Sequence, residues 1–272
     1  MITVENRIDQ LFADRSKKRF IPFITIGDPS LAVSEELVLA LAEAGADLIE
    51  LGVAYSDPIA DGPTIQRASQ RALAAGITMV DVMHLVSRLR QKGVTIPLVF
   101  FSYYNPVLQY GLDAFFQDLA ACGADGIIIP DLPTEENEEA SHAAQSNGVH
   151  LISLVAPTSN ARIATIAQKA SGFVYCVSSL GVTGVRDELP TDLGQFLDSV
   201  KASTDKPIAV GFGISTPEQV RFTAKHADGV VVGSAIVREV EKNLALLTDP
   251  DQKAEGIAAI KRFVQQLTGA LQ

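Results

Sequence analysis

Short apolar runs alternate with amphipathic segments along the whole chain. Each run is rich in β-branched or aromatic residues and is nearly continuous rather than alternating with polar positions. Continuous runs of this kind are typical of strands buried on both faces of a parallel sheet. The pattern therefore predicts eight strands, at Phe20–Ile26, Asp47–Leu51, Ile96–Phe101, Gly126–Ile129, Val149–Val155, Gly172–Val177, Pro207–Gly211 and Gly229–Val232.

The segments between these runs place apolar residues at helical spacing. Leu37, Leu41 and Ala44 follow this spacing, and so do the apolar positions from Val82 to Leu89. Eight strands alternating with helices predict an α/β protein of the (βα)8 TIM barrel class. An open doubly wound sheet is the alternative, and it is disfavoured because no glycine fingerprint follows the first strand.

Helical sequence also extends the chain beyond the predicted barrel at both ends. An apolar stripe before the first strand predicts an extra helix that covers the bottom of the barrel, and a second stripe predicts extra C-terminal helical sequence. No linker-like stretch interrupts the middle, so residues 1–272 are expected to form a single domain. The two stripes consist of Val4, Ile8, Leu11 and Phe12, and of Ile257, Ile260, Phe263, Val264 and Leu267.

Three segments repeat one motif: AGADLIELG, CGADGIIIP and HADGVVVGS. Each places an Ala-Asp pair directly before a predicted strand, which indicates a turn from a helix end into that strand. Asp47, Asp125 and Asp228 therefore lie at strand starts, on the face of the barrel opposite the usual active site. A structural role is predicted for all three.

Composition and charge narrow the classes of partner. The chain is 47% apolar and 20% charged, which is sufficient for a packed core, and its net charge of −10 disfavours nucleic acid. No apolar run is long enough for a membrane span, and no secretory signal is visible at the N-terminus, so a cytoplasmic location is expected. Cys122 and Cys176 lie in apolar stretches and are interpreted as buried thiols.

The segment ELGVAYSDPIADGPTIQ carries two carboxylates at the exit of the second predicted strand. Glu50 is flanked by apolar residues, and no Arg or Lys lies between Leu48 and Gln66. Burial raises the pKa of such a carboxyl group, which suits a residue that transfers protons. The alternative is a Glu paired with a basic group at the rim of the barrel.

Asp61 is predicted to have a different environment. Pro63 suits the first turn of a helix, which makes Gly62 the expected cap and Asp61 the residue before it. The helix N-terminus favours the anion, so Asp61 is expected to be ionised at neutral pH. The alternative is a helix-start Asp with no further role. Asp131, which follows the fourth strand in IIIPDLP, is expected to make a structural hydrogen bond, with a reserve catalytic group at the strand exit as the alternative.

Two glycine-containing loops follow the last two strands. GFGIS spans residues 211–215 and GSAIV spans residues 233–237, and each leads into a helix. Backbone N–H groups and a helix N-terminus together bind anions, and these two loops are the usual phosphate site of the fold. A phosphorylated substrate is therefore predicted. The long polar loop SSLGVTGVRDELP after the sixth strand is interpreted as a lid, with an ordinary surface loop as the alternative.

The same motifs, taken in order, resemble the tryptophan synthase alpha subunit family. The resemblance rests on FIPFITIGDPS, ELGVAYSDPIADGPTIQ, SLGVTG, GFGIS and GSAIV, and it covers nearly the whole chain. It implies a lyase that cleaves indole-3-glycerol phosphate to indole and glyceraldehyde 3-phosphate. It also implies no cofactor in this subunit, with pyridoxal phosphate only in a beta subunit that joins it in an α2β2 heterotetramer and receives the indole.

The resemblance also implies roles for individual residues. Glu50 matches the family's general acid–base residue, and Asp61 matches the carboxylate that holds the indole N–H. The remaining matches are substrate-binding residues: Thr183 on the lid, the phosphate-binding Gly184, Gly213, Gly233 and Ser234, and the cavity walls Phe23, Phe101 and Tyr175. The chain departs from the family at Ala54, where Pro is common, and at Leu180 in the lid.

Three other functions stay open at this stage. A lyase that acts without a partner would carry the same catalytic motifs. A sugar-phosphate isomerase or epimerase could use the same barrel, but the four histidines lie on predicted helices or before strands, and no metal site is expected. A catalytically silent barrel that only activates a partner is the third alternative.

Overall fold

Eight parallel strands close into a barrel in which each strand pairs with its sequence neighbours and the eighth pairs with the first. The computed structural model describes residues 5–157, 160–178, 184, 192–211 and 213–271. The (βα)8 prediction is confirmed, and the open sheet is wrong because the edge strands pair. The strands are β1 Arg19–Thr25, β2 Ile49–Gly52, β3 Leu98–Phe101, β4 Gly126–Ile128, β5 His150–Val155, β6 Val174–Val177, β7 Ile208–Gly211 and β8 Gly229–Val232.

Helices surround the barrel and extend it at both ends. Within the described residues, two helices rather than one connect β2 to β3, and two connect β3 to β4. The α-helices are α1 Arg7–Ala13, α2 Leu31–Glu43, α3 Pro63–Ala74, α4 Met79–Gln91, α5 Tyr104–Tyr110, α6 Leu112–Ala121, α7 Glu138–Ser146, α8 Asn160–Lys169, α9 Leu193–Lys201, α10 Pro217–His226, α11 Ser234–Lys242, α12 Leu244–Thr248 and α13 Lys253–Thr268. A short 3-10 turn, Gly269–Leu271, follows α13.

The apolar side chains form two layers. The larger cluster lies between the outer face of the barrel and the helices, and the smaller one fills the barrel interior. Strands buried on both faces explain why the apolar runs in the sequence are continuous. Alternation along each strand decides which residues point inward. It places Leu48, directly before β2, in the inner cluster and directs Glu50 of β2 to the same side.

Helix α1 closes the bottom of the barrel, as the N-terminal stripe predicts. Ile8 and Phe12 are buried in the inner cluster, and the ring of Phe12 lies 5.6 Å from that of Phe173. The cap of this helix is Asn6, whose side chain accepts from Ile8 N and donates to the carbonyl of Asp125. Val4 lies outside the described residues.

The three Ala-Asp repeats have the same structural role. Asp47 accepts a hydrogen bond from Phe20 N at 2.8 Å, and Asp125 accepts one from Leu98 N at 2.8 Å. Asp228 does the same for Ile208 N at 2.9 Å. Each carboxylate therefore satisfies an N–H at the start of a neighbouring strand at the bottom of the barrel, away from the mouth.

No single helix among the described residues is both long and apolar enough to cross a membrane. Helices α3 and α4 meet the length and composition test only as a pair, and they are bent by 93° at the break between them.

Candidate active site

A pocket opens at the carboxyl ends of the strands, among the loops that follow them. Nine of the ten predicted site residues line this pocket, and Thr183 lies outside the described residues. Three apolar residues complete the wall. The lining consists of Phe23, Glu50, Asp61, Ile65, Phe101, Tyr175, Gly184, Gly213, Ile214, Val231, Gly233 and Ser234.

Glu50 lies on β2 and faces the barrel interior, in register with Phe23 of β1 and Val99 of β3. Only 1% of the residue is exposed, and its Oε1 atom has no hydrogen-bond partner among the described residues. Among the described residues, no ion pair involves Glu50. The alternative of a Glu paired with a basic group at the rim of the barrel is therefore wrong for that part of the chain. Burial raises the pKa of Glu50 well above its ordinary value, in the predicted direction.

Asp61 lies in the loop before α3, and Gly62 and Pro63 take the predicted places at the start of that helix. The Asp61 side chain is buried at the pocket wall, and the hydroxyl of Tyr103 donates a hydrogen bond to it. The same hydroxyl accepts a hydrogen bond from Ala60 N at 3.0 Å. The Tyr103 hydroxyl thus contacts two successive residues of this loop, Ala60 and Asp61.

The predicted environment of Asp61 needs one correction. Burial raises the pKa of Asp61 to about 6, and the hydrogen bond from Tyr103 opposes only part of that rise. The helix N-terminus therefore does not determine the pKa of Asp61, because the effect of burying the carboxylate is larger. Asp61 still stays mostly ionised at pH 7, while Glu50 has the greater tendency to hold its proton.

We predict that Tyr103→Phe shifts the acidic limb of the pH–activity profile to higher pH. Without the hydroxyl, the Asp61 anion loses a donor, so the pKa of Asp61 should rise further above about 6. Turnover should fall several-fold at pH 6.5 and recover at pH 8, where Asp61 is ionised in both proteins.

The matched control is Tyr55→Phe. The ring of Tyr55 packs 5.1 Å from that of Tyr103, and its hydroxyl accepts only a long hydrogen bond from Asn105, at 3.3 Å. This control should leave the pH profile in place. An equal loss at every pH in Tyr103→Phe would show that the hydroxyl does not tune Asp61.

Aromatic rings form the apolar wall of the pocket. The rings of Phe23 and Phe101 meet edge to face, with centroids 5.5 Å apart. A Cβ at Gly52 would lie 2.5 Å from the Phe23 ring, and a Cβ at Gly211 would lie 2.1 Å from the Tyr175 hydroxyl. Both glycines therefore leave the space in which these rings lie across a neighbouring strand.

A second wall is built from the loops after β7 and β8. Gly213 has a φ of 84°, a conformation that favours glycine, and Gly233 directly precedes α11. Ser234, the first residue of α11, is buried against the pocket. The first N–H groups of a helix have no partner within the helix, and the dipole there favours an anion. This wall, which we call the glycine wall (Gly213, Gly233 and Ser234), suits a phosphate.

Other candidate residues lie away from the pocket. Asp131 accepts a hydrogen bond from Tyr104 N at 2.8 Å, as expected for a structural role. Across the described ranges, no group of three or more His, Cys, Asp or Glu side chains could hold a metal ion. The polar loop predicted as a lid falls outside those ranges except for Ser178 and Gly184.

The sequence motifs contain two of the missed pocket residues, since Ile65 lies within ADGPTIQ and Ile214 within GFGIS. Val231 faces inward because it follows Gly229 at the two-residue period of β8. Tyr103 has no comparable signal, because its contact with Asp61 joins two separate loops.

The family model described as tryptophan synthase alpha chain matches residues 10–271. The chain belongs to the tryptophan synthase alpha chain family. It is a lyase of tryptophan biosynthesis that cleaves indole-3-glycerol phosphate, as the resemblance of its motifs implies.

Relatives and solved structures match over nearly the full length. The chain is 54% identical over 252 residues to the tryptophan synthase alpha chain of Geobacillus stearothermophilus, covering 93% of this chain and 94% of that one. The alpha subunit structure from Legionella pneumophila superposes with a TM-score of 0.89 at 36% identity, covering 98% and 99% of the two chains. A tryptophan synthase complex from Pyrococcus furiosus superposes with a TM-score of 0.83 at 35% identity, covering 92% and 98%.

Proposed function

We propose that Glu50 is the acid–base residue of the lyase reaction. The observation that carries this proposal is a buried carboxyl group in the same pocket as Asp61 and the glycine wall, with one oxygen that no described residue pairs. A Glu with a raised pKa keeps its proton to higher pH than an exposed Glu and can donate it to carbon.

Glu50 both donates a proton and regains one in the proposed reaction. Protonated Glu50 gives its proton to the indole ring carbon that bears the glycerol chain. The bond from that carbon to the chain then breaks, and its electron pair returns to the ring. The neighbouring hydroxyl of the chain becomes the aldehyde carbonyl, and its proton passes to Glu50. Indole and glyceraldehyde 3-phosphate leave, and Glu50 is protonated again.

Asp61 is proposed to hold the indole N–H. Protonation of the ring carbon places positive charge on the ring nitrogen, and an ionised carboxylate beside that nitrogen stabilises it. Asp61 is suited to this role because it stays mostly ionised at pH 7. The two carboxyl groups thus serve as acid and anion in one pocket, and their different pKa values suit these two roles.

The glycine wall and Gly184 are proposed to bind the phosphate, and the rings of Phe23, Phe101 and Tyr175 to enclose the indole. Their common location on one pocket supports this assignment. Thr183 is proposed to meet Asp61 from the lid, on the family match of its motif alone. No cofactor is proposed for this chain.

A beta subunit is the proposed partner, in an α2β2 assembly that carries pyridoxal phosphate in the beta subunit. The Pyrococcus furiosus neighbour is a tryptophan synthase complex, which supports an assembly of this type. Two exposed apolar side chains near the barrel mouth suit a protein partner: Ile59 is 73% exposed on the β2–α3 loop, and Leu108 is 50% exposed on α5.

The proposal extends to the domain organisation, location and partners of the chain. Residues 1–272 are proposed to act as one domain, located in the cytoplasm, with neither nucleic acid nor membrane as a partner. Two free, buried cysteines suit a reducing compartment.

Indole formation tests the proposed function directly. The chain alone is expected to release indole and glyceraldehyde 3-phosphate in equal amounts from indole-3-glycerol phosphate, and more rapidly with a beta subunit. An assay with ribulose phosphate and a divalent metal distinguishes the lyase from the isomerase or epimerase alternative, which would convert that sugar phosphate. Absence of indole both with and without the beta subunit would overturn the proposal. A rate of indole release that does not change when the beta subunit is added would indicate a lyase that acts without this partner.

A further inference from the structure

A charged network lies outside the pocket and joins three segments that are distant in sequence. Arg71 of α3 donates two hydrogen bonds to Asp28, in the loop after β1, at 2.7 and 2.9 Å. Arg71 also donates to Glu241 of α11 at 3.0 Å. Arg67, one turn earlier on α3, donates two hydrogen bonds to Glu241 at 2.8 and 2.7 Å.

The network is strong because it is bidentate and partly shielded from solvent. Asp28 is 2% exposed at its side chain, and Arg71 and Glu241 are about one quarter exposed. Paired N–H donors from Arg fix the geometry of a carboxylate as well as attracting it. The two arginines hold the pKa of Glu241 at about 2, so Glu241 stays charged throughout the working range of pH.

The two helices joined by Glu241 each begin at a separate part of the pocket lining. Helix α3 begins at Pro63, directly after Asp61 and Gly62, and helix α11 begins at Ser234 of the glycine wall. Helix α3 turns away from α4 and packs against α11 and the end of β1 instead. The placement of α3 on α11 therefore decides how far Asp61 lies from the glycine wall.

We propose that Glu241 is a positioning residue that fixes the separation between Asp61 and the glycine wall. This inference rests on the proposed function, in which Asp61 holds the indole N–H and the glycine wall holds the phosphate. The substrate spans both groups, so the separation must match the distance between its ring nitrogen and its phosphate. Ligands that contact only one wall do not depend on that separation.

The test compares Glu241→Gln with wild type on two ligands. Indolepropanol phosphate, an unreactive analogue, spans both walls, whereas glycerol 3-phosphate contacts only the glycine wall. Glu241→Gln is expected to weaken the spanning ligand about tenfold and to raise KM for the substrate, since small displacements are costly for a two-ended ligand. Binding of glycerol 3-phosphate should change less than twofold.

Glu239→Gln is the matched control on the same helix. Glu239 pairs with Lys242 and Asn243 of its own segment, and its side chain makes no hydrogen bond or ion pair with α3 among the described residues. It should leave both ligands unchanged. Glu241→Gln should fold, because Arg71 keeps Asp28 as a partner and Arg67 is half exposed. Thermal unfolding of both variants checks this.

The outcomes separate this inference from the proposed function. If wild type binds indolepropanol phosphate no more tightly than glycerol 3-phosphate, the proposed two-ended site fails and the positioning role fails with it. If wild type prefers the spanning ligand and Glu241→Gln weakens both ligands equally or neither, only the positioning role is overturned.

Discussion

Glu50→Gln is expected to lower the turnover of indole-3-glycerol phosphate by about 10²–10⁴-fold, the range that general acid–base catalysis supplies. The amide keeps the shape of the side chain but has no acidic proton for the ring carbon and cannot take the hydroxyl proton. Substrate affinity should change little, because the phosphate and the indole N–H keep their partners. The measurement is the rate of indole release under single-turnover conditions.

The same substitution is expected to stabilise the fold at neutral pH. The raised pKa of Glu50 means that the folded state holds this proton more tightly than the unfolded chain does. The native protein therefore loses stability as pH rises above the ordinary Glu value of about 4.3, up to the folded-state pKa. Gln does not titrate, so its advantage in Tm should grow as pH rises above that value and level off at the folded-state pKa, reaching a few degrees.

Asp131→Asn is the matched control for Glu50→Gln. Asp131 lies near the mouth of the barrel but makes a structural hydrogen bond outside the pocket. It should keep turnover within a few-fold of wild type. Near-normal indole release by Glu50→Gln, or a loss of similar size in Asp131→Asn, would remove Glu50 from its proposed role.

The second large effect is expected at Asp61. Asp61→Asn should lower kcat/KM by about 10²–10³-fold, because a preorganised charge beside the developing cation is lost. In wild type, kcat/KM should fall as pH drops through about 6, where Asp61 takes up a proton. The variant should lose this acidic limb, since its amide does not titrate.

The substrate phosphate also titrates near pH 6, and its contribution must be separated. The inhibition constant of glycerol 3-phosphate, measured across the same pH range, reports the phosphate alone. After that correction, an acidic limb that persists unchanged in Asp61→Asn would assign the titration to a group other than Asp61.

The strands are predictable from local sequence because each is a continuous apolar run. The predicted and observed ends agree within two residues at every strand. The packing of the helices is harder to predict from local sequence than the positions of the strands. Gly76 at a positive φ and the capping box of Thr78 and Asp81 mark the break between α3 and α4 locally, whereas the packing of α3 against α11 and β1 is contained in no local pattern.

The site divides in the same way. Glu50 and the glycine wall are predictable because a strand exit or a helix start places them at the mouth of the barrel. The pKa of Asp61 is not, because its burial depends on neighbours from other loops, and burial outweighs the helix N-terminus. Tyr103 and Glu241 are also inaccessible, since Tyr103 acts from the next loop and Glu241 lies 170 residues from Arg71.

The most direct test is a crystal structure of Glu50→Gln with indole-3-glycerol phosphate trapped in the pocket. The predicted arrangement has the Asp61 carboxylate at the indole N–H, residue 50 beside the substituted ring carbon, and the phosphate at Gly213, Gly233 and Ser234. A phosphate bound elsewhere, or an indole ring that does not lie between residues 50 and 61, would contradict the account.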